Sequence, residues 1–77
     1  MTIKQLGRAL RDMYDHAPVG DKKTTIHLFA IRYADELKNV PAKDVAVAAE
    51  LPISYHTEIS AGRRLARYVM EKDHQLI

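Results

Sequence analysis

The chain of 77 residues carries 12 Lys and Arg against 10 Asp and Glu, a formal net charge of +2, with 47% hydrophobic and 29% charged residues and no cysteine. This balance describes one ordinary globular domain over 1–77, too apolar for a disordered chain and too short to divide into two. Without cysteine there is no disulfide framework and no thiolate zinc site, so packing alone must hold the fold.

Thr2 and Gln5 form a T-x-x-Q capping box, and Ile3, Leu6, Leu10 and Met13 follow at spacings of three and four. The pattern predicts an amphipathic helix to about Tyr14, with Lys4, Arg8, Arg11 and Asp12 on its polar side and Arg8 placed to pair with Asp12. Residues 15–23, DHAPVGDKK, read as a loop whose Lys22 and Lys23 are surface cations. Thr24 or Thr25 is then expected to cap the most apolar helix, running from Ile26 to about Lys38 with Ile26, Phe29, Ala30, Tyr33 and Leu37 in one stripe. His27 lies beside that stripe, where a partly buried, hydrogen-bonded histidine is expected. Asn39 suits a left-handed C-terminal residue, and Pro41 the first position of the next helix.

Residues 42–62, AKDVAVAAELPISYHTEISAG, are the organising stretch. Val45, Ala46 and Ala49 share one helical face, and the small residues allow a close helix crossing. Pro52 lacks a backbone N–H and biases Leu51 away from helical dihedrals, so Glu50-Leu51-Pro52-Ile53 forms a turn. Ser54 is expected to cap a second helix in which Tyr55, Ile59, Gly62, Ala66 and Val69 keep one phase to about Lys72. Gly62 is then expected to serve close packing, the alternative being a kink there, and the tail 73–77 is expected to fray.

These residues resemble the helix-turn-helix DNA-binding proteins of the phage-repressor type. That pattern has a small residue in the middle of its first helix, an apolar residue in the turn, an apolar residue late in the recognition helix and a glycine soon after; Ala46, Leu51, Ile59 and Gly62 fill those places. The turn position usually filled by glycine is Glu50, and the first apolar position of the recognition helix is His56. The chain is also similar, more weakly, to small bacterial proteins described only as helix-turn-helix-like, some fused to restriction-type nucleases. The resemblance implies an all-α bundle of four to five helices with a helix-turn-helix at 42–62 and a long C-terminal helix, in a bacterial or phage DNA-binding protein that regulates transcription or serves a restriction- or phage-associated system.

Roles follow from position on the last helix. Ser54, Thr57, Glu58 and Ala61, with His56 at the boundary, are the candidates to meet base edges in a major groove. Arg63, Arg64, Arg67 and Lys43 are the candidates for backbone phosphates, and the first helix's Lys4, Arg8 and Arg11 form a second basic group that such a domain can turn toward the same duplex. Tyr55 is expected in the core on its phase with Ile59, the alternative being a hydroxyl offered to a phosphate.

Catalysis finds no support in the pattern. Ser54, His56 and Glu58 alternate along a helix and cannot form a relay, and the adjacent Asp35 and Glu36 point about 100° apart. The four histidines, at 16, 27, 56 and 74, lack metal-ligand spacing, so no metal or other cofactor is expected. No stretch approaches membrane-spanning length and MTIKQLGR holds no signal-peptide core, so a cytoplasmic protein without a membrane partner is expected. The partners implied are double-stranded DNA and a second copy of the chain, since a single small domain makes a small interface. The rival reading is a protein–protein interaction module that keeps the same shape without binding DNA.

Overall fold

The computed structural model describes residues 1–70. Four α-helices and one 3-10 turn make up the regular structure of these residues: α1 (Ile3–His16), α2 (Lys22–Arg32), α3 (Ala42–Ala48), a 3-10 turn (Ile53–Tyr55) and α4 (His56–Leu65). The all-α class and the bundle containing a helix-turn-helix are thus as the sequence predicts. None of these helices is long and apolar enough to cross a membrane.

The capping box of α1 is complete, with Gln5 N donating to Thr2 Oγ1 at 3.0 Å and Thr2 N to Gln5 Oε1 at 2.9 Å. At the other end the Lys22 ammonium donates to the carbonyls of Tyr14, at 2.7 Å, and Asp15, at 3.4 Å, placing a cation where the helix dipole is negative. The ion pairs formed on this helix are Arg11–Asp15 and His16–Asp12, in place of the expected Arg8–Asp12 pair. Arg11 also reaches the end of α3, which fixes its guanidinium where Asp15 can meet it.

Helix α2 begins earlier and ends earlier than its apolar stripe suggests. Asp21 N bonds to Pro18 O and Thr25 N to Asp21 O, so the loop's own turn starts the helix and leaves Thr24 and Thr25 inside its first turn, without the expected capping role. Past Arg32 the winding loosens into successive turns, closed from Ala34 N to Ile31 O and from Leu37 N to Tyr33 O, and this path keeps Leu37 fully buried. Asn39 ends it with φ 67°, the left-handed conformation expected there, and Pro41 stands at the N-cap of α3, one place before the expected position.

The core joins all four helices: Leu6 and Leu10 from α1, Ile26, Phe29 and Ala30 from α2, Leu37 of the α2–α3 connection, Val45 and Ala46 of α3, Ala49 and Leu51 of the turn after it, and Ile59 of α4. Two glycines permit the closest approaches. A Cβ on Gly62 would lie 2.5 Å from Ala30 Cβ and 2.7 Å from His27 O, so α4 presses directly on α2, the most extensive helix pairing in the fold. A Cβ on Gly7 would lie 2.5 Å from Ala48 Cβ, so α1 presses likewise on the end of α3.

Candidate nucleic-acid interface

The turn between α3 and α4 is built from its carbonyls upward. Glu50 N bonds to Val47 O at 2.9 Å and Leu51 N to Ala46 O at 3.0 Å, the paired closure of a Schellman motif, with Glu50 at φ 58° in the position glycine favours. Arg11 Nη1 donates to Glu50 O at 3.3 Å and to Ala49 O at 3.5 Å, so a cation from α1 satisfies the carbonyls that α3 leaves exposed at its end. The glutamate in the glycine position is therefore absorbed by the backbone itself and by a latch from another helix.

The entry to α4 differs from the expected Ser54 cap. Ser54 lies inside the 3-10 turn, its side chain makes no cap bond, and its carbonyl accepts a hydrogen bond from Thr57 Oγ1 at 3.1 Å. Pro52 supplies the start instead, its carbonyl accepting from Tyr55 N at 2.9 Å. Tyr55 is half-buried against the core as expected, its ring 6.4 Å from that of Tyr14. A hydrogen bond between the two hydroxyls, aided by burial, raises the Tyr14 pKa above its ordinary value. From His56 the α-helix runs to Leu65, and backbone bonds from Ala66, Tyr68 and Val69 carry its winding further; the expected end at Lys72 lies outside the described residues.

The face that α4 turns inward is Ile59 and Gly62, flanked by half-buried Tyr55 and Ala66. Ser54, Thr57, Ala61 and Arg64 therefore fall on the opposite side at spacings of three, four and three, exposed except for half-buried Ala61. Glu58 is not on this stripe. Its Oε1 meets His27 Nε2 at 2.6 Å, with the two side chains 28% and 34% exposed, so the carboxylate is drawn toward α2. His56 is half-buried at the first position of α4, and Lys43 is exposed in the first turn of α3.

Among the phosphate candidates, Arg64 and Arg67 are exposed, whereas Arg63 is half-buried and donates from Nη1 to Leu37 O and Val40 O, each at 2.9 Å. These three arginines line one hollow with Ser60, while Lys4, Arg8 and Arg11 line another with Ala48 and Glu50. The first-helix cations thus gather at the end of α3, and one of them is the latch already described. Sequence reasoning did not find that latch, nor the His27–Glu58 pair: both join residues more than 30 positions apart, and neither side chain carries a local signal of its partner.

A family model described as an HTH-like domain matches residues 2–72. The chain belongs to the HTH-like domain family. Comparison with curated proteins and with solved structures gave no match. In this HTH-like domain the Schellman turn joins α3 to α4, and α1 and α2 pack against this pair through Gly7, Arg11, Gly62 and His27. Among the described residues no group of three or more His, Cys, Asp or Glu is placed to hold a metal ion.

Proposed function

We propose that this HTH-like domain binds double-stranded DNA in the manner of the phage-repressor type, with the outer stripe of α4 laid into the major groove. The observation that carries the reading is the composition of that stripe. Ser54, Thr57 and Ala61 are small, so the backbone of the helix can come close to base edges, and Arg64 follows one turn on. The carboxylate that would repel phosphate, Glu58, is held aside by His27. In this arrangement Thr57 meets a base edge or a thymine methyl, and Arg64 and Arg67 meet the sugar-phosphate backbone. The biological setting proposed is transcriptional regulation or a restriction- or phage-associated system.

One observation favours a second reading. Leu65, Tyr68, Val69 and Met70 are exposed beside Ala61, and Ala61, Arg64, Leu65 and Tyr68 line a shallow, mostly apolar hollow. Such a face supports pairing with a second copy, as a DNA-binding dimer needs, or docking of a different protein.

Titration of duplex DNA at salt concentrations from about 50 to 200 mM separates the readings. The DNA reading expects affinity to fall steeply with salt, Arg64→Gln to reduce the slope by about one unit, and Thr57→Ala to change sequence preference more than affinity. Absence of binding at the lowest salt removes it and leaves the protein-docking reading.

A further inference from the structure

Beside the arginine hollow lies a second and larger one, about 570 Å³, where the α2–α3 connection meets the flank of α4. Its walls are Ala34, Val40 and Pro41, and its polar groups are Lys38, Asn39, Arg63 and Arg67. Three cations meet there and no carboxylate lines it. Lys38 stands within a turn of Asp35 and Glu36 in the sequence, yet the ion pairs formed among the described residues leave Lys38, Arg63 and Arg67 without an acidic partner. Cations held together without a counter-charge repel one another and raise the local affinity for an anion.

Arg63 adds geometry to this charge. Its Nη1 is fixed by the carbonyls of Leu37 and Val40, so the plane of the guanidinium is set before any ligand arrives, while Nε and Nη2 have no hydrogen-bond partner among the described residues. A planar fork held in this way suits two oxygens of one phosphate, and ordering the side chain in advance removes the entropy cost of immobilising it on binding. Arg67 lies about one turn further on, in the winding that follows α4, and Lys38 approaches from the other wall.

We infer that Lys38, Asn39, Arg63 and Arg67 form a seat for a phosphate group, with Arg63 as its preorganised fork. The seat lies about a quarter-turn round α4 from Arg64, so where the outer stripe enters a groove the phosphate is one of the flanking duplex backbone; that form of the inference rests on the DNA reading. A free phosphate has the same recognising chemistry.

Two measurements on the full chain test the seat and its source. In the first, the free protein is titrated with inorganic phosphate and followed by nuclear magnetic resonance of the arginine side chains and backbone amides, with chloride at equal ionic strength as reference. Saturable shifts confined to Arg63 Nε, Arg67 Nε and the Asn39 amide are expected, reduced in Lys38→Gln. In the second, Lys38→Gln and Arg67→Gln are each expected to lower the salt slope of duplex binding by about one unit. Both substitutions are at exposed positions, and thermal melting shows whether each variant remains folded. Change in the duplex slope of Lys38→Gln alone assigns the seat to DNA phosphate; shifts with inorganic phosphate alone assign it to a free phosphate. Wild-type duplex binding with an unchanged slope in Lys38→Gln and no phosphate shifts overturns the seat while leaving the DNA reading in place. If the protein binds no duplex, the DNA reading falls, and the inorganic phosphate titration decides the seat alone.

Discussion

At Glu50 a residue with a full side chain occupies φ 58°, a region in which its Cβ crowds the backbone and in which glycine is the usual occupant. The conformation persists because three separate contacts determine it: the bonds from Glu50 N and Leu51 N to the end of α3 and the guanidinium of Arg11 on the Glu50 carbonyl. None of these contacts uses the carboxylate. Glu50→Gly should therefore relieve strain while keeping the turn, and raise stability by about 1 kcal/mol in chemical denaturation. A loss of stability would mean that the side chain has a role. Tyr14 offers a second residue-scale test. Its pKa in the fold lies above the ordinary value of 10.0, chiefly through the Tyr55 hydroxyl, so the fold favours the neutral phenol. That contribution to stability is fully present below the unfolded pKa and is lost as pH rises through the folded one. Tyr55→Phe should bring the Tyr14 titration, read by nuclear magnetic resonance of its ring, back toward its ordinary range and shrink the loss of stability in alkali.

The pairing of α2 with α4 puts small residues to opposite tests. Ile59 is fully buried, so Ile59→Ala empties core volume and should cost about 2 to 4 kcal/mol; a melting curve like that of the wild type would mean that the buried face of α4 is misassigned. Gly62→Ala adds volume where none is free, 2.5 Å from Ala30 Cβ and beside the His27 carbonyl, and should cost about 1 to 3 kcal/mol despite the better helix propensity of alanine. Equilibrium unfolding of the two variants measures both costs. These interior positions were legible in the sequence because helical periodicity reports what is buried: Leu6, Leu10, Phe29, Val45 and Ile59 all lie where their spacing placed them. Element ends were less legible. Thr24 and Thr25 have the chemistry of caps, but the turn from Pro18 to Asp21 had already started α2, and Ser54 gave up its capping role to a 3-10 turn begun at Pro52. A cap signal is local, and it yields when a preceding turn supplies the first helical bond.

The whole molecule depends on contacts that span the chain. Helix α3 has seven residues, too few to persist alone in water, and its C-terminal carbonyls are satisfied by Arg11 from α1. Helix α4 has ten residues, packs mainly on α2 through Gly62 and is tied to it by the His27–Glu58 pair. Arg63 in turn holds the carbonyls of Leu37 and Val40 that lead into α3. These long-range ties escaped sequence reasoning because an exposed arginine and one that binds distant carbonyls look alike in a composition or a helical wheel; only the fold distinguishes exposed Arg64 from Arg63 and Arg11, which donate to backbone carbonyls of other elements. Since both of its helices draw their stability from α1 and α2, the helix-turn-helix should not fold by itself. A peptide spanning 42–70 should show little helix by circular dichroism and no cooperative melt, while the full chain should be strongly helical, without appreciable strand signal, and should unfold in a single transition followed equally by tyrosine fluorescence and by helix content. A peptide that melts cooperatively would show that α1 and α2 are dispensable to the fold of α3 and α4, and the role given to Arg11 and Gly62 would fail with it.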